Sequence, residues 1–377
     1  MLSTSPATRR VIVVGGAAVL GVLLVLLFFS RAGPFLPVGG GLWRSANVPG
    51  PPQLERILLR RRSDTEGLGS SLQHLKGSII LAEHVVNATF LVGATQSEHD
   101  YSTSRVLNEA VLGHEAAVAF DLAVDPVAAA HALLPPGSEV CQLSDFITHQ
   151  VRASVLRDVC HERADTPALR QARTRLAACK LIVDDIDDEE IQAYNGCVRD
   201  FVRARLGAGA GRKSGTVGTL RVGIHVRWGD AAQWYRQTGL LRGSLQPRDM
   251  NVVVRALLEA FGRQRVAIKV AIEDADEEVL GLLDFRHEVD AFISTGDPVE
   301  DLRSLADADV LLIGGSSYGV LAHLLAPVRG VTVAQDNTFA RTKLSHAGPR
   351  HVLFMGDYRA SELVQDLQAQ FEYLDPH

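Results

Sequence analysis

The sequence predicts an α/β protein built from two Rossmann-like lobes. The first observation is a regular alternation of strand and helix patterns between Leu220 and Val333. The second is a helical pattern from Ser71 that runs directly into an apolar strand pattern ending near Val92. The third is a glycine-rich stretch, 207–218, between these two regions. Strands that alternate with helices are typical of parallel sheets covered by helices on both faces.

The C-terminal half supplies the clearest elements. Short apolar runs predict the strands Leu220–Val226, Val266–Ile272, Ala291–Ile293, Val310–Ile313 and Val331–Val333. Amphipathic runs between them predict the helices Asp249–Phe261, Glu277–Leu283, Val299–Ala306 and Tyr318–Leu325. A parallel, doubly wound sheet binds its ligand at the carboxyl ends of the strands, so we expect the functional residues there.

The N-terminal half shows the same alternation less regularly. Its predicted elements are a helix over Ser71–Val86, a strand in the run ATFLV, helices over Phe146–Cys160 and Ala168–Cys179, a strand at Lys180–Val183 and a helix over Glu189–Leu206. We therefore predict an acceptor-side domain over 63–206, a linker over 207–218 and a donor-binding domain over 219–377.

The N-terminus predicts a membrane anchor. Residues 11–29 carry no charged side chain, and at about 1.5 Å per residue a helix would span about 28 Å, the thickness of a hydrocarbon core. Arg9 and Arg10 precede this segment, so we expect the tail 1–10 in the cytosol and the remainder in the lumen of the Golgi or endoplasmic reticulum. A cleaved signal peptide is the alternative, although its apolar region is shorter. Residues 30–52 are rich in Gly and Pro, and residues 30–62 are expected to form a stem.

Composition excludes several classes of protein. The 377 residues are 46% hydrophobic and 22% charged, which is typical of a globular chain and not of a disordered one. The net charge of -6 leaves no chain-wide basic surface, so we expect no nucleic-acid partner.

Two kinds of covalent modification fit a lumenal location. The four cysteines are expected to form two disulfides, and the spacing leaves all three pairings open. They are Cys141, Cys160, Cys179 and Cys197. The tripeptide at Asn87 is a glycosylation sequon, which makes Asn87 a candidate modification site.

The candidate catalytic residues follow the first strand of the C-terminal half. In HVRWGD, alternation places His225 and Arg227 on one face, and Asp230 lies in the turn that follows. A guanidinium can bind phosphate through two parallel hydrogen bonds. The alternative interpretation is an edge strand with a solvated arginine and a turn capped by Asp230.

The candidate donor-binding residues lie at other strand ends. Ser316 and Ser317 open a helix whose N–H groups would favour an anion, although they also fit an ordinary helix cap. Glu273 and Asp274 follow the second strand, where carboxylates can bind a nucleoside or simply favour the next helix through its dipole. The glycine turn near the start of the N-terminal domain adds Gly67, Gly69 and Ser70, and a plain turn before a helix explains it equally well.

The peptide HVRWGD and the downstream segment DLRSLADADVLLIGGSS together resemble a known family. They are similar to the fucosyltransferases that share an H-x-R-x-G-D donor motif, which include the α1,2-, α1,6- and protein O-fucosyltransferase groups. The resemblance spans roughly 68–92 and 220–333. It implies a GT-B fold, GDP-fucose as the donor, a glycan or glycoprotein as the acceptor, and no metal or other cofactor.

The resemblance also implies roles for particular residues. Arg227 would contact the donor β-phosphate, His225 would lie against the nucleotide, and Ser316 and Ser317 would complete the donor site. The acids of the downstream segment correspond to Asp301 and Asp309, the pair facing guanine to Glu273 and Asp274, and the N-terminal glycine loop to Gly67, Gly69 and Ser70. Trp228 departs from the pattern, because it stands where several members have a second arginine.

Two other functions remain open from the sequence. Asp185 and Asp187 form a D-x-D motif, with which metal-dependent transferases hold a divalent ion on the diphosphate of another sugar nucleotide. An acidic helix start, favoured by the helix dipole, explains the same residues without a metal. The third candidate function is a lumenal binding protein of the same fold without catalytic activity.

Overall fold

In the computed structural model, two parallel β-sheets follow one another along the chain. The structure describes residues 52–61, 68–93, 103–161, 165–186, 196–207, 218–344, 350–357 and 360–371. The predicted α/β class with parallel sheets is confirmed. The predicted cytosolic tail, anchor and most of the stem, together with Gly67 and most of the linker, lie outside the described residues. Within the described ranges, no helix is both long enough and apolar enough to cross a bilayer.

The first sheet has four strands in the order β2-β1-β4-β3, all parallel. The strands are β1 (Ile57–Arg61), β2 (Thr89–Gly93), β3 (Val140–Gln142) and β4 (Leu181–Asp184). The helices are α1 (Leu68–Ile80), which continues as a π-helix over Leu81–Val86, α2 (Thr103–Leu112), α3 (His114–Asp121), α4 (Pro126–His131), α5 (His149–Cys160), α6 (Pro167–Leu176) and α7 (Arg199–Leu206).

Strand β1 corrects the predicted stem, which was expected to extend to residue 62. The compact unit of the chain begins at Pro52, and β1 lies between β2 and β4 in the sheet. Ile57 and Leu59 are completely buried, as an internal parallel strand requires. Arg60 makes this segment polar in sequence, as a linker would be. In the structure its guanidinium is buried against Asp184, with Nη1 at 3.4 Å from Oδ1.

The second sheet has six parallel strands in the order β10-β9-β8-β5-β6-β7. They are β5 (Leu220–Val226), β6 (Val266–Ile272), β7 (Ala291–Ile293), β8 (Val310–Ile313), β9 (Val331–Ala334) and β10 (His351–Phe354). The helices are α8 (Ala232–Thr238), α9 (Pro247–Phe261), α10 (Glu277–Leu280), α11 (Pro298–Ala306), α12 (Ser317–Leu325), α13 (Thr338–Leu344) and α14 (Ala360–Phe371). All five predicted strands are present, and β10 extends the sheet by one.

The order of the second sheet reverses direction at β5. From β5 the chain adds β6 and β7 on one side and then β8, β9 and β10 on the other. The carboxyl ends of β5 and β8 therefore border a crevice, which is the usual ligand position in an open α/β sheet.

Of the three hydrophobic clusters in the described residues, one contains side chains from both lobes. A single cluster of buried side chains contains Leu72 of α1 and Phe201 of α7 from the first lobe, and Leu302 of α11 and Leu321 of α12 from the second. Arg199 adds a polar link, because its Nη2 donates to the carbonyl oxygen of Ala326 at 2.8 Å. The helices beside the crevice are thus packed directly against the first lobe.

Two disulfides form within the first lobe, as predicted. They join Cys141 to Cys179 and Cys160 to Cys197. The fold thereby selects one of the three pairings that the sequence left open. Asn87 is exposed in a left-handed turn (φ 48°) before β2, and not within the strand itself. Its glycosylation stays a prediction.

Candidate functional site at the carboxyl end of the second sheet

His225 and Arg227 lie at the end of an internal strand. Strand β5 pairs with β6 on one side and with β8 on the other, so the edge-strand interpretation is wrong. Alternation still places the two side chains on one face, where His225 is buried and Arg227 remains 36% exposed. A partly exposed guanidinium therefore stands in the crevice above a buried imidazole.

Asp230 holds the guanidinium of Arg227. Arg227 Nε donates to Asp230 Oδ1 at 2.9 Å, and Nη2 donates to Oδ2. The backbone N–H of Arg227 also donates to the buried hydroxyl of Ser244 at 2.6 Å. These contacts fix the direction of the fork. The geometry gives Asp230, a candidate catalytic residue from the sequence, a positioning role toward Arg227.

His225 is kept neutral by its surroundings. Burial, and then the charge of Arg227, lower the pKa of His225 to about 4. The ring lies 5.1 Å from that of Tyr318, and Nδ1 is 3.4 Å from Ser316 Oγ. Ser316 Oγ also accepts the N–H of Gly319, and when its hydroxyl proton is donated to Nδ1 the ring proton of His225 lies on Nε2. His225 can then act as a neutral hydrogen-bond donor.

The N-terminus of α12 forms the other wall of the crevice. Ser316 caps the helix, with its Oγ accepting from Gly319 N at 3.0 Å, and its own N–H donates to the carbonyl of Gly243 at 3.1 Å. A Cβ on Gly314 would lie 2.3 Å from that same carbonyl oxygen. Only glycine at position 314 therefore permits the loop before α9 to approach the end of β8 so closely.

The first lobe reaches the same helix end through α1. A Cβ on Gly69 would lie 2.6 Å from the backbone nitrogen of Tyr318 and 2.7 Å from the carbonyl carbon of Ser317. Ser70 follows and is half-buried. Gly67 lies outside the described residues. Gly69 allows α1 to pack closely against the start of α12, beside the predicted donor-binding serines.

Two buried lysines, Lys343 beside Ser317 and Lys76 near Lys343, were missed by the sequence reasoning. Lys343 Nζ donates to Ser317 Oγ at 3.0 Å and lies 3.8 Å from the ring centre of Phe339. Burial lowers the pKa of Lys343 to about 8. Burial, and then the charge of Lys343, lower the pKa of Lys76 to about 7. The signal for Lys76 was its position on the apolar face of α1, four residues after Leu72 and four before Ile80.

Glu273 and Asp274 lie at the end of β6, on the same edge of the sheet. Glu273 packs against the turn after Arg227, because a Cβ on Gly229 would lie 2.2 Å from Glu273 Oε2. Ser294 Oγ donates to the backbone carbonyl of Glu273 at 3.1 Å, and Asp274 is exposed. The structure therefore brings these acids to the edge where the sequence reasoning expected them.

The two acids of the downstream segment lie in different places. Asp301 accepts from the N–H and the Oγ1 of Thr295 at 3.1 and 2.8 Å, so its carboxylate closes the turn before α11. Asp309 pairs with Arg221 at the amino end of β5, at 3.0 Å. Arg221 precedes Arg227 by six strand residues, or about 20 Å at about 3.3 Å per residue. Asp309 therefore lies at the amino ends of the strands and not beside the crevice.

A cavity of 570 Å³ lies beside this edge, between the lobes. Its walls come from α2, the end of α7 and the start of α11. Its polar lining includes Arg105, Glu109, His114, Asp297 and Arg303. Contacts link the cavity to the crevice, since the ring of Tyr318 lies against His225 and its hydroxyl donates to the carbonyl of Pro298 at 2.6 Å.

The D-x-D motif has a structural explanation in the first lobe. Asp185 accepts from the backbone N–H and the Oγ of Ser144, at 3.1 and 2.5 Å, and so fixes the segment after β3. Asp187 lies outside the described residues. Asp184 is buried with Arg152, whose Nη1 lies 2.6 Å from its Oδ1. Within the described part of the chain, no group of three or more His, Cys, Asp or Glu side chains is placed to hold a metal.

Comparison with known proteins adds a limited likeness. No protein-family model and no curated protein matches the chain. Among solved structures, the E. coli heptosyltransferase WaaC with ADP-2-deoxy-2-fluoro heptose is similar at 10% identity and a TM-score of 0.38, covering 83% of this chain and 99% of that one. OtsA in its apo form is similar at 11% identity and a TM-score of 0.33, covering 84% and 91%. At these values neither protein's activity transfers to this chain.

Proposed function

We propose that this chain is a GT-B glycosyltransferase that moves fucose from GDP-fucose to a hydroxyl of a glycan or protein, without a metal and with inversion. The observation that supports this proposal most is the position of Arg227. Its guanidinium stands at the end of β5 beside the crevice at the β5–β8 reversal, facing the N-terminus of α12. A guanidinium and a helix N-terminus together form a favourable site for a diphosphate.

The proposed reaction is a single displacement. The acceptor oxygen bonds to the anomeric carbon while the bond from that carbon to the diphosphate oxygen breaks, so negative charge grows on the departing diphosphate. Arg227 and the N-terminus of α12 stabilise that charge, and the fixed direction of the Arg227 fork avoids reorganisation during the step. His225, neutral at physiological pH, donates a hydrogen bond toward the nucleotide.

The remaining parts of the two substrates are assigned by position. Glu273 and Asp274, at the end of β6, accept hydrogen bonds from the guanosine part of the donor. The cavity between α2 and α11 receives the acceptor, because its lining comes from both lobes and Tyr318 connects it to His225. In this proposal the chain is a single-pass type II protein of the Golgi or endoplasmic reticulum membrane, anchored by residues 11–29.

Thermal unfolding of the full chain in detergent tests the donor. GDP, GDP-fucose, GDP-mannose and UDP-sugars are added separately, each with and without EDTA. A ligand at about 100 times its Kd adds about 2.7 kcal/mol of stability, which raises the midpoint measurably. We expect stabilisation by GDP and GDP-fucose that survives EDTA.

The other outcomes contradict the proposal in distinct ways. Stabilisation by a UDP-sugar only in the presence of a divalent metal would favour a metal-dependent D-x-D transferase. Stabilisation by GDP-fucose without release of GDP over a broad acceptor panel would favour a binding protein. No response to any nucleotide would remove the nucleotide-sugar assignment altogether.

A further inference from the structure

The cavity between α2 and α11 carries more positive than negative side chains. Its volume of 570 Å³ falls within the range of about 300–1,000 Å³ that is typical of small-molecule sites. Among the described residues that line it, the arginines are Arg105, Arg205 and Arg303, and the acids are Glu109 and Asp297. An excess of one sign of charge in a concave site favours a ligand of the opposite sign.

Both acids of the cavity are engaged by other groups. Asp297 Oδ1 accepts from the backbone N–H groups of Val299 and Glu300, at 2.8 and 3.3 Å, and so caps helix α11. Glu109 Oε1 lies 3.2 Å from His114 Nδ1. In the described part of the chain, neither carboxylate forms a salt bridge with an arginine of the cavity. The charge of those arginines is therefore left for a ligand to balance.

Arg303 has two nitrogens available to such a ligand. Its Nε donates to the carbonyl of Leu206 at 2.5 Å, at the end of α7. Its Nη2 is 3.5 Å from where a Cβ on Gly207 would lie, and Gly207 also lines the cavity. Within the described ranges, Nη1 and Nη2 of Arg303 form no hydrogen bond, and the guanidinium forms no salt bridge. The contact with α7 therefore uses Nε alone.

Arg205 adds a positive charge that backbone groups hold in place. Its Nη1 and Nη2 donate to the carbonyls of Leu107 and Phe90, each at 3.2 Å. These neutral acceptors fix the guanidinium without cancelling its charge. Burial lowers the pKa of Arg205 to about 10, and the charge of Glu83, which is exposed and does not line the cavity, opposes that shift. Arg205 is therefore a cation at physiological pH.

We propose that the acceptor is an acidic glycan, and that the carboxylate of an acidic sugar binds Arg303 in this cavity. The proposal rests on the proposed transferase function, which assigns the cavity to the acceptor. A guanidinium binds a carboxylate through two parallel hydrogen bonds, which fix the direction of the ligand as well as its charge. Arg303 supplies these bonds, and Arg205 contributes positive potential. The acidic sugar thereby positions the acceptor relative to the donor in the crevice.

Titration calorimetry of the full chain in detergent, without nucleotide, tests the proposal. The ligands are the methyl glycosides of glucuronic acid, galacturonic acid and N-acetylneuraminic acid. Each is compared with its own methyl ester, which keeps the sugar ring and removes the charge. We expect at least one acid to bind about tenfold tighter than its ester, because hydrogen bonds between charged groups are the stronger ones. If all three acids bind no tighter than their esters, the proposal is overturned.

A pair of variants locates the preference for the acid. Arg303→Gln removes the guanidinium and should bind acid and ester with equal affinity. Arg203→Gln is the matched control and should keep the preference, because Arg203 is a half-buried arginine of α7 that does not line the cavity. A preference that persists in Arg303→Gln, or that disappears equally in both variants, would overturn the proposal. The comparison of acid and ester with the wild type is decisive even where a variant fails to fold.

The same titration separates this proposal from that of the transferase. A preference for the acid without any response to GDP would contradict the transferase and the acceptor role, and would leave acidic-sugar binding at Arg303. Binding of GDP-fucose without a preference for any acid would leave the transferase and overturn the acidic acceptor.

Discussion

Replacing Arg227 with lysine tests the proposed diphosphate site most directly. In the structure, Nε and Nη2 of Arg227 are bound to Asp230, and Nη1 points toward the crevice loop, 3.6 Å from where a Cβ on Gly243 would lie. A lysine keeps the positive charge but loses the planar fork and its anchoring by Asp230. The substitution therefore isolates geometry from charge.

The expected loss follows from the bonds that the fork provides. A hydrogen bond to a charged group contributes about 1.5–3 kcal/mol, and each 1.4 kcal/mol or so changes affinity about tenfold. Because the ammonium retains part of the Coulomb attraction, we expect Arg227→Lys to weaken GDP binding by about tenfold to a hundredfold.

Titration calorimetry of the full chain with GDP and with GDP-fucose provides the assay. Arg236→Lys is the matched control, since Arg236 makes the same kind of fork with Glu278, at 2.8 and 2.6 Å, on the exposed side of α8. The control should bind GDP within about twofold of the wild type. If Arg227→Lys also binds GDP within twofold, or if both variants lose affinity equally, the role assigned to Arg227 is refuted.

Three further predictions concern stability. Gly69→Ala should cost about 1–3 kcal/mol in urea unfolding, because its methyl group would meet the backbone of α12 at 2.6 Å; an unchanged midpoint would contradict this packing. Burial lowers the pKa of His225 from 6.5 to about 4 and that of His323 from 6.5 to about 3. The free energy of unfolding that comes from keeping both rings neutral is therefore fully present above about pH 6.5. It is lost as the pH falls toward 4, at about 2.7 kcal/mol per pH unit for two protons. Urea midpoints that do not change between about pH 7 and about pH 4.5 would refute this predicted loss of stability. Cys160→Ala opens a link of separation 37 and should cost about 4 kcal/mol in unfolding free energy relative to the oxidised wild type, and the reduced wild type should lose at least as much.

The sequence predicted the second sheet better than the first for physical reasons. Strands β5, β6 and β8 are apolar runs bounded by glycine or charged turns, so length and composition were sufficient. Strand β1 was missed because ILLRR ends in two arginines, and the partner of Arg60 is Asp184, more than a hundred residues away. Local pattern cannot reveal a charge that is neutralised only by tertiary contact.

The candidate site also contains residues that the sequence could predict and residues that it could not. His225, Arg227 and Ser316 follow strands, so topology alone brought them to one edge. Lys76 and Lys343 belong to different lobes, and only the packing of α1 and α13 around the end of α12 places them together. No spacing in the sequence encodes that proximity.

Trp228 shows how the positive charge of the site is distributed. It stands where several fucosyltransferases have a second arginine, yet its indole is buried and donates to Asp276 at 3.0 Å. An arginine in that interior position would need a fully buried partner for its charge. The strand end therefore supplies one guanidinium, Arg227, and further positive charge comes from Lys343, which binds Ser317 on the opposite wall of the crevice. If the diphosphate lies between these walls, its recognition depends on helix α13 as well as on the HVRWGD peptide. A sequence search for two adjacent arginines would then miss the contribution of Lys343.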